Sequence, residues 1–432
     1  MRTQLILLAL LALVSCREDP PQPPQNAPSE RPSGSPRVTG APNALPHLTE
    51  EFRLDAEAPR SEADRAGRVQ LDLGGEATVG VPGRWRIAYE VESPGLKDGA
   101  AVYLQVPPFW GWDSPQSSRP DGPGYTSVDV ETSRETLHRT EELGPGLMRC
   151  VFEGEGLEAG DRVVFDYGAG SMGAFPDLYA ESGSRFWIAV DGDGDGVRHV
   201  HEDSPSIRIR AARASRVVAT LPSHARPGEL VRLCVALLDP GGNRAAGSTA
   251  DLTFAFDPPL AQPGALTLPE TSAIELSDEG AVSLTFDAPK AAVLQRIQVT
   301  ARVQGTDQVW RAVTNPLLVE KDARPMFWAD LHGHSNLSDG SALPEEYLRY
   351  ARDVAALDII ALTDHDHYGV QFLADHPELW RGIREDTQAF HDPGRFVTVL
   401  GYEWTNWTYG HRHVLYFQDD GEVYDSIEPA SD

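Results

Sequence analysis

Between about Gly67 and Val319 the chain is cut into short runs of strand-type residues closed by glycine or proline, and this punctuation limits the fold more than any other feature. Runs such as RWRIAYEV, AVYLQV, DRVVFDY and RFWIAV alternate in part with period 2, which on a pleated strand sends successive side chains to opposite faces. Few segments there carry a helical repeat, so residues 47–212 are expected to form a β-sandwich. A second set follows: RVVATL, LVRLCVALLD, DLTFAF, AVSLTF and RIQVTARV, with RPGE and DPGGN as turns. Strands at this spacing predict an immunoglobulin-like sandwich over residues 213–322.

The pattern changes after Arg324 and Pro325. PEEYLRYARDVAA places apolar residues at helical spacing and opens with Pro344 and two glutamates, which suits a helix N-terminus. It runs into LDIIALTDHD, a continuous apolar stretch typical of a parallel strand buried on both faces. RFVTVLGYEW and RHVLYF repeat that kind of strand, and strand alternating with helix predicts an α/β unit from residue 323 to 432.

The chemistry gathers at the ends of those strands. In DLHGHSNLSDG, His332 and His334 stand two apart, so on extended chain both imidazoles point the same way. Asp330 precedes them and Asp339 follows in a Ser/Gly loop able to fold back. The run IIALT opens into Asp364, His365, Asp366 and His367. FVTVLGYE closes on Glu403, and GHRHVLYF offers His411 and His413. Ionisable groups are costly inside unless paired or ligated, so four elements that deliver imidazoles and carboxylates to strand ends point to a metal site.

Composition bears on partners. With 65 acidic against 37 basic side chains and a formal charge of -28, the chain is not expected to bind nucleic acid or an anionic membrane surface directly. An anionic substrate needs local positive charge, which a metal cluster supplies. The N-terminus reads as an export signal: Arg2, the apolar run LILLALLALV, then Leu13-Val14-Ser15-Cys16, which resembles the lipobox of bacterial lipoproteins. Residues 1–15 are expected to be the signal peptide, Cys16 the lipidated residue and residues 16–46 a Pro/Ser-rich tether. That places the protein at the bacterial cell envelope, held to the membrane by its lipid alone. Cys150 and Cys234 fall in different strand-like runs and are expected to be buried free thiols.

Two further stretches invite a ligand. DGDGDGVRHVHE sets Asp191, Asp193, Asp195 and Glu202 at the spacing of a calcium loop, but after a strand rather than a helix; the alternative is a solvated acidic turn. PPFWGWD, residues 107–113, is an aromatic cluster that either stacks on a sugar or packs in a turn.

Together DLHGHSNLSDG, ALTDHD, GYEW and HRHVLYF resemble, in order, the polymerase and histidinol phosphatase (PHP) superfamily of metal-dependent hydrolases, in an exported branch known mostly as a domain of unknown function. The resemblance covers about residues 327–417. It implies two or three divalent ions, zinc, manganese or iron, with His332 and His334 on one, Asp339 and His365 on a second or third, and Glu403 bridging. Either His411 or His413 supplies the later histidine, and Asp364 joins Glu403 in the catalytic group by orienting His365 or its loop. The implied reaction is hydrolysis of a phosphorylated or otherwise hydrolysable small molecule or glycan by a metal-activated water. The expected architecture is multidomain: two β-sandwiches followed by a truncated α/β PHP-type barrel. Since the segment after Arg324 is about half the length such a barrel needs, the sequence is expected to be a fragment of a longer protein. The alternative is an envelope binding or scaffold lipoprotein, its sandwiches contacting glycan or protein and its PHP segment degenerate.

Overall fold

Alternation in sequence becomes alternation in burial wherever a strand lays one face on a core. In the computed structural model, which describes residues 46–427 apart from 246, 248, 258–271, 275–279 and 323, the strand Val293–Val303 buries Gln295, Ile297, Val299 and Ala301 and leaves the residues between them wholly or partly open. Ile207 and Ile209 do the same in Ser206–Arg210. The signal-peptide, tether and Cys16 readings lie outside the described residues, apart from residue 46.

In the first sandwich an antiparallel sheet ordered Arg68–Leu73, Trp85–Glu90, Arg162–Tyr167, Thr126–Glu131 packs on a second ordered His199–Val200, Trp187–Asp191, Ala101–Gln105, Leu147–Gly154, Thr136–Gly144. The core between them is aromatic: Trp85 meets Trp112, Tyr167 and Phe186 at ring-centre distances of 5.2, 5.6 and 5.8 Å. Trp112 of the PPFWGWD cluster is therefore core packing. A small third sheet joins Glu76–Thr78, Ser206–Arg210 and Glu181–Arg185.

The second sandwich sets Arg216–Thr220, Leu230–Leu238 and Ala281–Asp287 over a sheet ordered His224–Ala225, Leu317–Val319, Val293–Val303, Ala250–Asp257, Ser272–Ile274, with Val309–Val313 also paired to Val293–Val303. Leu233, Val235, Ile297 and Val299 fill its core; each such side chain contributes roughly 1.5–3 kcal/mol on burial. Cys150 and Cys234 are buried free thiols, one in each sandwich. Burial pushes the Cys150 thiol up to about 12, which leaves it unreactive.

The last unit runs three strands in parallel, Ala329–Asp330, Ile359–Ala361 and Val397–Asn406, and returns antiparallel in Gly410–Tyr416. Parallel pairing requires crossovers, here the helices Pro344–Asp353 and Pro377–Phe390. Pro344 starts the first helix, and Glu346 Oε2 accepts the Leu343 amide at 3.2 Å. Its Leu348 and Ala351 pack with Ile360, Phe390 and Phe396, while Trp380 and Ile383 of the second helix cover Leu362, Leu400 and Tyr402. The expected truncated PHP-type barrel is corrected here: among the described residues this is an open mixed sheet of four strands with two helices, and the rest of the molecule is mostly β-sandwich. The final strand reverses direction because only three residues separate Asn406 from Gly410, too few for a parallel crossover.

This unit rests on both sandwiches. Val354 packs with Ala236 and Leu238 of the second, and Trp328 Nε1 donates to Ser223 Oγ at 2.7 Å. Glu346 Oε2 also accepts the Ser182 amide of the first at 2.9 Å.

Candidate metal centre

Strand register assembles the centre. Antiparallel pairing sets Glu403 opposite His413 and Thr405 opposite His411, and residues directly opposite share a face, so all four project the same way. The parallel strand beside them, Ile359–Ala361, runs on through Thr363 and brings His365 into a bridge with Glu403. The stretch after Ala329–Asp330 lays His332 and His334 over this surface. Two glycines make that possible: a Cβ on Gly333 would lie 1.9 Å from the Tyr347 hydroxyl, and one on Gly340 would lie 2.1 Å from the His334 carbonyl oxygen.

Glu403 is the hub. Its Oε2 lies 3.7 Å from His332 Nδ1, 3.4 Å from His334 Nε2, 3.8 Å from His365 Nδ1 and 4.0 Å from His413 Nε2. Two ligand groups share it: His332, Glu403 and His413, and His334, His365 and Glu403. Asp339 Oδ1 flanks the second group, 3.6 Å from His334 Nδ1 and 3.5 Å from His365 Nε2. Glu403 Oε2 and Asp339 Oδ1 are both buried without a hydrogen bond. An unpaired buried carboxylate oxygen is costly, and a cation between the imidazoles removes that cost; the donor set fits divalent zinc, manganese or iron.

The two late histidines divide the work. His411 Nδ1 lies 2.9 Å from Glu403 Oε1, the oxygen facing away from the ligand groups, so it orients the carboxylate. His413 joins the ligand group, its ring centre 4.1 Å from that of His332.

Electrostatics leave the acids ionised. Burial works to raise the Glu403 carboxyl, but the His411 hydrogen bond and the charges of His365 and His334 outweigh it and hold the group below its usual range. Asp339 is likewise lowered: burial opposes, and His365 and His334 prevail. Burial and His365 lower the His334 imidazole, and burial and His332 lower that of His413, which keeps ring nitrogens free to ligate. Burial disfavours charge on His365 too, but Asp339 and Glu403 together raise it.

Asp364, expected to orient His365 or its loop, holds the neighbouring Ser335–Ser338 loop instead of that of His365. Its Oδ1 accepts the Ser335 amide at 2.8 Å and the Ser338 hydroxyl at 2.6 Å, and its Oδ2 accepts the Ser335 hydroxyl at 2.7 Å. Fully buried and occupied, it staples the 335–338 loop rather than meeting a substrate. Asp330 takes the His332 amide at the outer edge. Asp366 and His367 form a separate buried group with Asp425, in which Asp366 accepts the amides of Thr405 and Ser426.

Sequence reasoning missed the hydroxyls. Thr405 donates to the Glu403 carbonyl at 2.9 Å and lies 2.7 Å from His365 Nδ1. Its oxygen therefore accepts from Nδ1–H, which fixes the ring's orientation and turns Nε2 toward Asp339. A threonine two positions beyond a strand-borne glutamate shares its face, and that parity was the available signal.

The candidate calcium loop closes on itself. Asp191 Oδ1 and Oδ2 accept the amides of Gly194 and Gly196 at 2.8 and 2.9 Å, and Asp195 accepts that of Val197 at 2.7 Å. The cluster that forms is Asp64, Asp191 and Asp193, which joins two of the four expected residues and leaves Asp195 and Glu202 outside it. Asp64, from the short helix Glu62–Arg65, takes the Gly192 amide at 2.7 Å.

No family model matches the chain. Two uncharacterised proteins are similar: one from Chlamydia pneumoniae, 24% identical over 248 residues, 56% of this chain and 37% of that protein; and one from Chlamydia muridarum, 24% identical over 352 residues, 76% and 53%. The chain thus spans little more than a third of the first and about half of the second. Similar solved structures include the Escherichia coli adhesin FdeC (12% identity, 58% of this chain and 64% of that one, TM-score 0.21). Two others are the type II cohesin dyad of the adaptor ScaA scaffoldin of Acetivibrio cellulolyticus (11%, 61% and 100%, TM-score 0.19) and the C-terminal domain of the Streptococcus agalactiae AgI/II polypeptide BspA (8%, 59% and 100%, TM-score 0.23). TM-scores this low carry no functional argument. The PHP resemblance is corrected accordingly: no model of that or any other family matches, and among the described residues the last unit is an open sheet of four strands rather than a barrel. Short motifs report residue types at strand ends, which unrelated folds can share.

Proposed function

We propose that the chain binds divalent metal at the Glu403 centre and hydrolyses an ester there, a phosphoester in the first instance. The observation that carries this reading is Glu403 Oε2, buried, without a hydrogen bond and shared by two histidine groups. Divalent ions in such a site activate water near neutral pH and neutralise charge on ester oxygens. His332 and His413 would hold one ion, His334, His365 and Asp339 the other, with Glu403 common to both. His411 fixes the Glu403 carboxylate, and Thr405 fixes the orientation of the His365 ring. The substrate class is a phosphorylated or otherwise hydrolysable small molecule or glycan, met at the bacterial envelope if the export and lipid signals of residues 1–16 operate. Metal analysis of the full chain, then an ester panel with zinc, manganese or iron, tests the reading: release of phosphate that is lost in His332→Ala supports it, and absence of bound metal sinks it.

A second reading is favoured by the two sandwich cores, which make up most of the described structure. It takes the protein as an envelope binding or scaffold lipoprotein contacting glycan or protein, with the metal centre structural. Adhesin and cohesin modules among the similar structures agree with it without carrying it. Glycan-array or partner binding that persists in Glu403→Gln, with no hydrolysis by the parent chain, would select this reading.

A further inference from the structure

The ligand loop of the last unit is gripped by the first sandwich. Trp110 belongs to the loop that follows the strand Ala101–Gln105, yet its indole N–H donates to the carbonyl of Asp339 at 2.6 Å across 229 positions of sequence. The same loop sets Phe109 against Tyr368 at 6.1 Å, and Tyr368 against His365 at 5.1 Å. A second sandwich segment holds the far side: Glu181 Oε2 accepts the Ala342 amide at 2.7 Å, beside the Ser182 contact to Glu346.

Trp110 is built for this place. Its backbone has φ 59°, a left-handed conformation unfavourable for a bulky residue, and persists because its surroundings hold it there. The Leu178 amide donates to the Trp110 carbonyl at 2.8 Å, and Tyr179 meets the indole edge-on at 5.8 Å. The indole is 45% exposed, so packing on Tyr179 covers only part of the ring, and the N–H bond to the Asp339 carbonyl is the contact that fixes its direction.

We infer that Trp110 is a positioning residue for the metal centre: the first sandwich sets the reach of the Asp339 carboxylate into the group with His334 and His365. This rests on the metal-binding reading above. The centre is then a property of two units, and the His332, Glu403 and His413 group, on which Trp110 makes no hydrogen bond, is reached only through the shared Glu403.

The test is calorimetric titration of zinc into the metal-free full chain, with Asp339→Ala and His413→Ala used to assign the two heats. Trp110→Phe keeps a ring against Tyr179 and removes the donor; Trp110→Ala removes both. The expected result is about tenfold weaker binding at the Asp339 group in Trp110→Phe, as loss of a supporting hydrogen bond to a ligand gives, with the His413 group and the melting temperature of the metal-free chain unchanged. Trp110→Ala should weaken the same group at least as much. Equal affinity at both groups in Trp110→Phe overturns the inference. So does equal weakening of both together with a lower melting temperature, the mark of a structural role. A parent chain that binds no zinc overturns the metal-binding reading itself and this inference with it, which separates the two failures.

Discussion

Two buried clusters of acids stand about equally well marked in the sequence, and the structure treats them in opposite ways. Around Asp191 the loop supplies its own partners: backbone amides take both oxygens of that carboxylate, and another amide takes Asp64 Oδ1. Of that group, Asp193 Oδ1 alone is buried without a hydrogen bond, and Asp193 Oδ2 lies 3.8 Å from Lys97 Nζ. Around Glu403 the partners are imidazoles, and one oxygen each of Glu403 and Asp339 is left buried and unpaired. Donor amides neutralise a carboxylate and close a turn; imidazoles with bare nitrogens leave room for a cation. The difference lies in who completes the hydrogen-bonding requirement, not in how many acids are present.

The sharpest way to break this comparison is Glu403→Gln, which removes the shared oxygen. Metal affinity measured by calorimetry should fall on the order of 100-fold or more at both groups, since loss of outer partners alone costs 10–100-fold; two sites retained at parent affinity would end the bridging assignment. His411→Ala should act more weakly, about tenfold, because it frees Glu403 Oε1 without removing a ligand. A third variant probes the self-closed loop: Asp191→Ala strands the amides of Gly194 and Gly196 and should cost about 1–3 kcal/mol in denaturant unfolding. Calcium should shift the parent melting temperature by less than about one degree, a small fraction of what a tightly bound ion gives by mass action. A calcium-dependent rise of several degrees, abolished in Asp193→Ala, would move the loop into the same class as the Glu403 centre.

Asp177 extends the rule to an acid that has neither set of partners complete. Burial, reinforced by Glu181, pushes its carboxyl up to about 8 against the opposing pull of the Tyr179 amide. A folded value above the unfolded one means that its stabilising contribution is present below the ordinary carboxylate range and is lost as pH rises toward 8. Asp177→Asn should therefore melt like the parent near pH 4 and increasingly above it as the pH rises toward 8, with the gap constant beyond. Equal differences from the parent at both pH values would show that burial does not raise the Asp177 carboxyl.

Much of this molecule was legible residue by residue. Period-2 runs marked strands such as Val293–Val303, and the apolar entries into His332, His365 and Glu403 marked strand ends that meet. Pro344 and its glutamates marked a helix start. The barrel was not legible, because four motifs in order constrain neither strand number nor closure. The choice between His411 and His413 was not legible either: both share parity, and only the pairing of Glu403 with His413 puts one on the inner oxygen and the other on the outer.

By itself the amino-acid order determined what is local: which runs are strands, which glycines permit close approach, and which residue types arrive where apolar strands end. Periodicity and chirality act over a few residues, so those features need no knowledge of the rest of the chain. Tertiary structure alone decided that Asp191 is satisfied while Glu403 is not, that Asp64 and not Glu202 completes the acidic loop, and that Trp110 reaches Asp339. Those outcomes depend on which distant donor occupies each oxygen, and that is settled only when the sheets have packed.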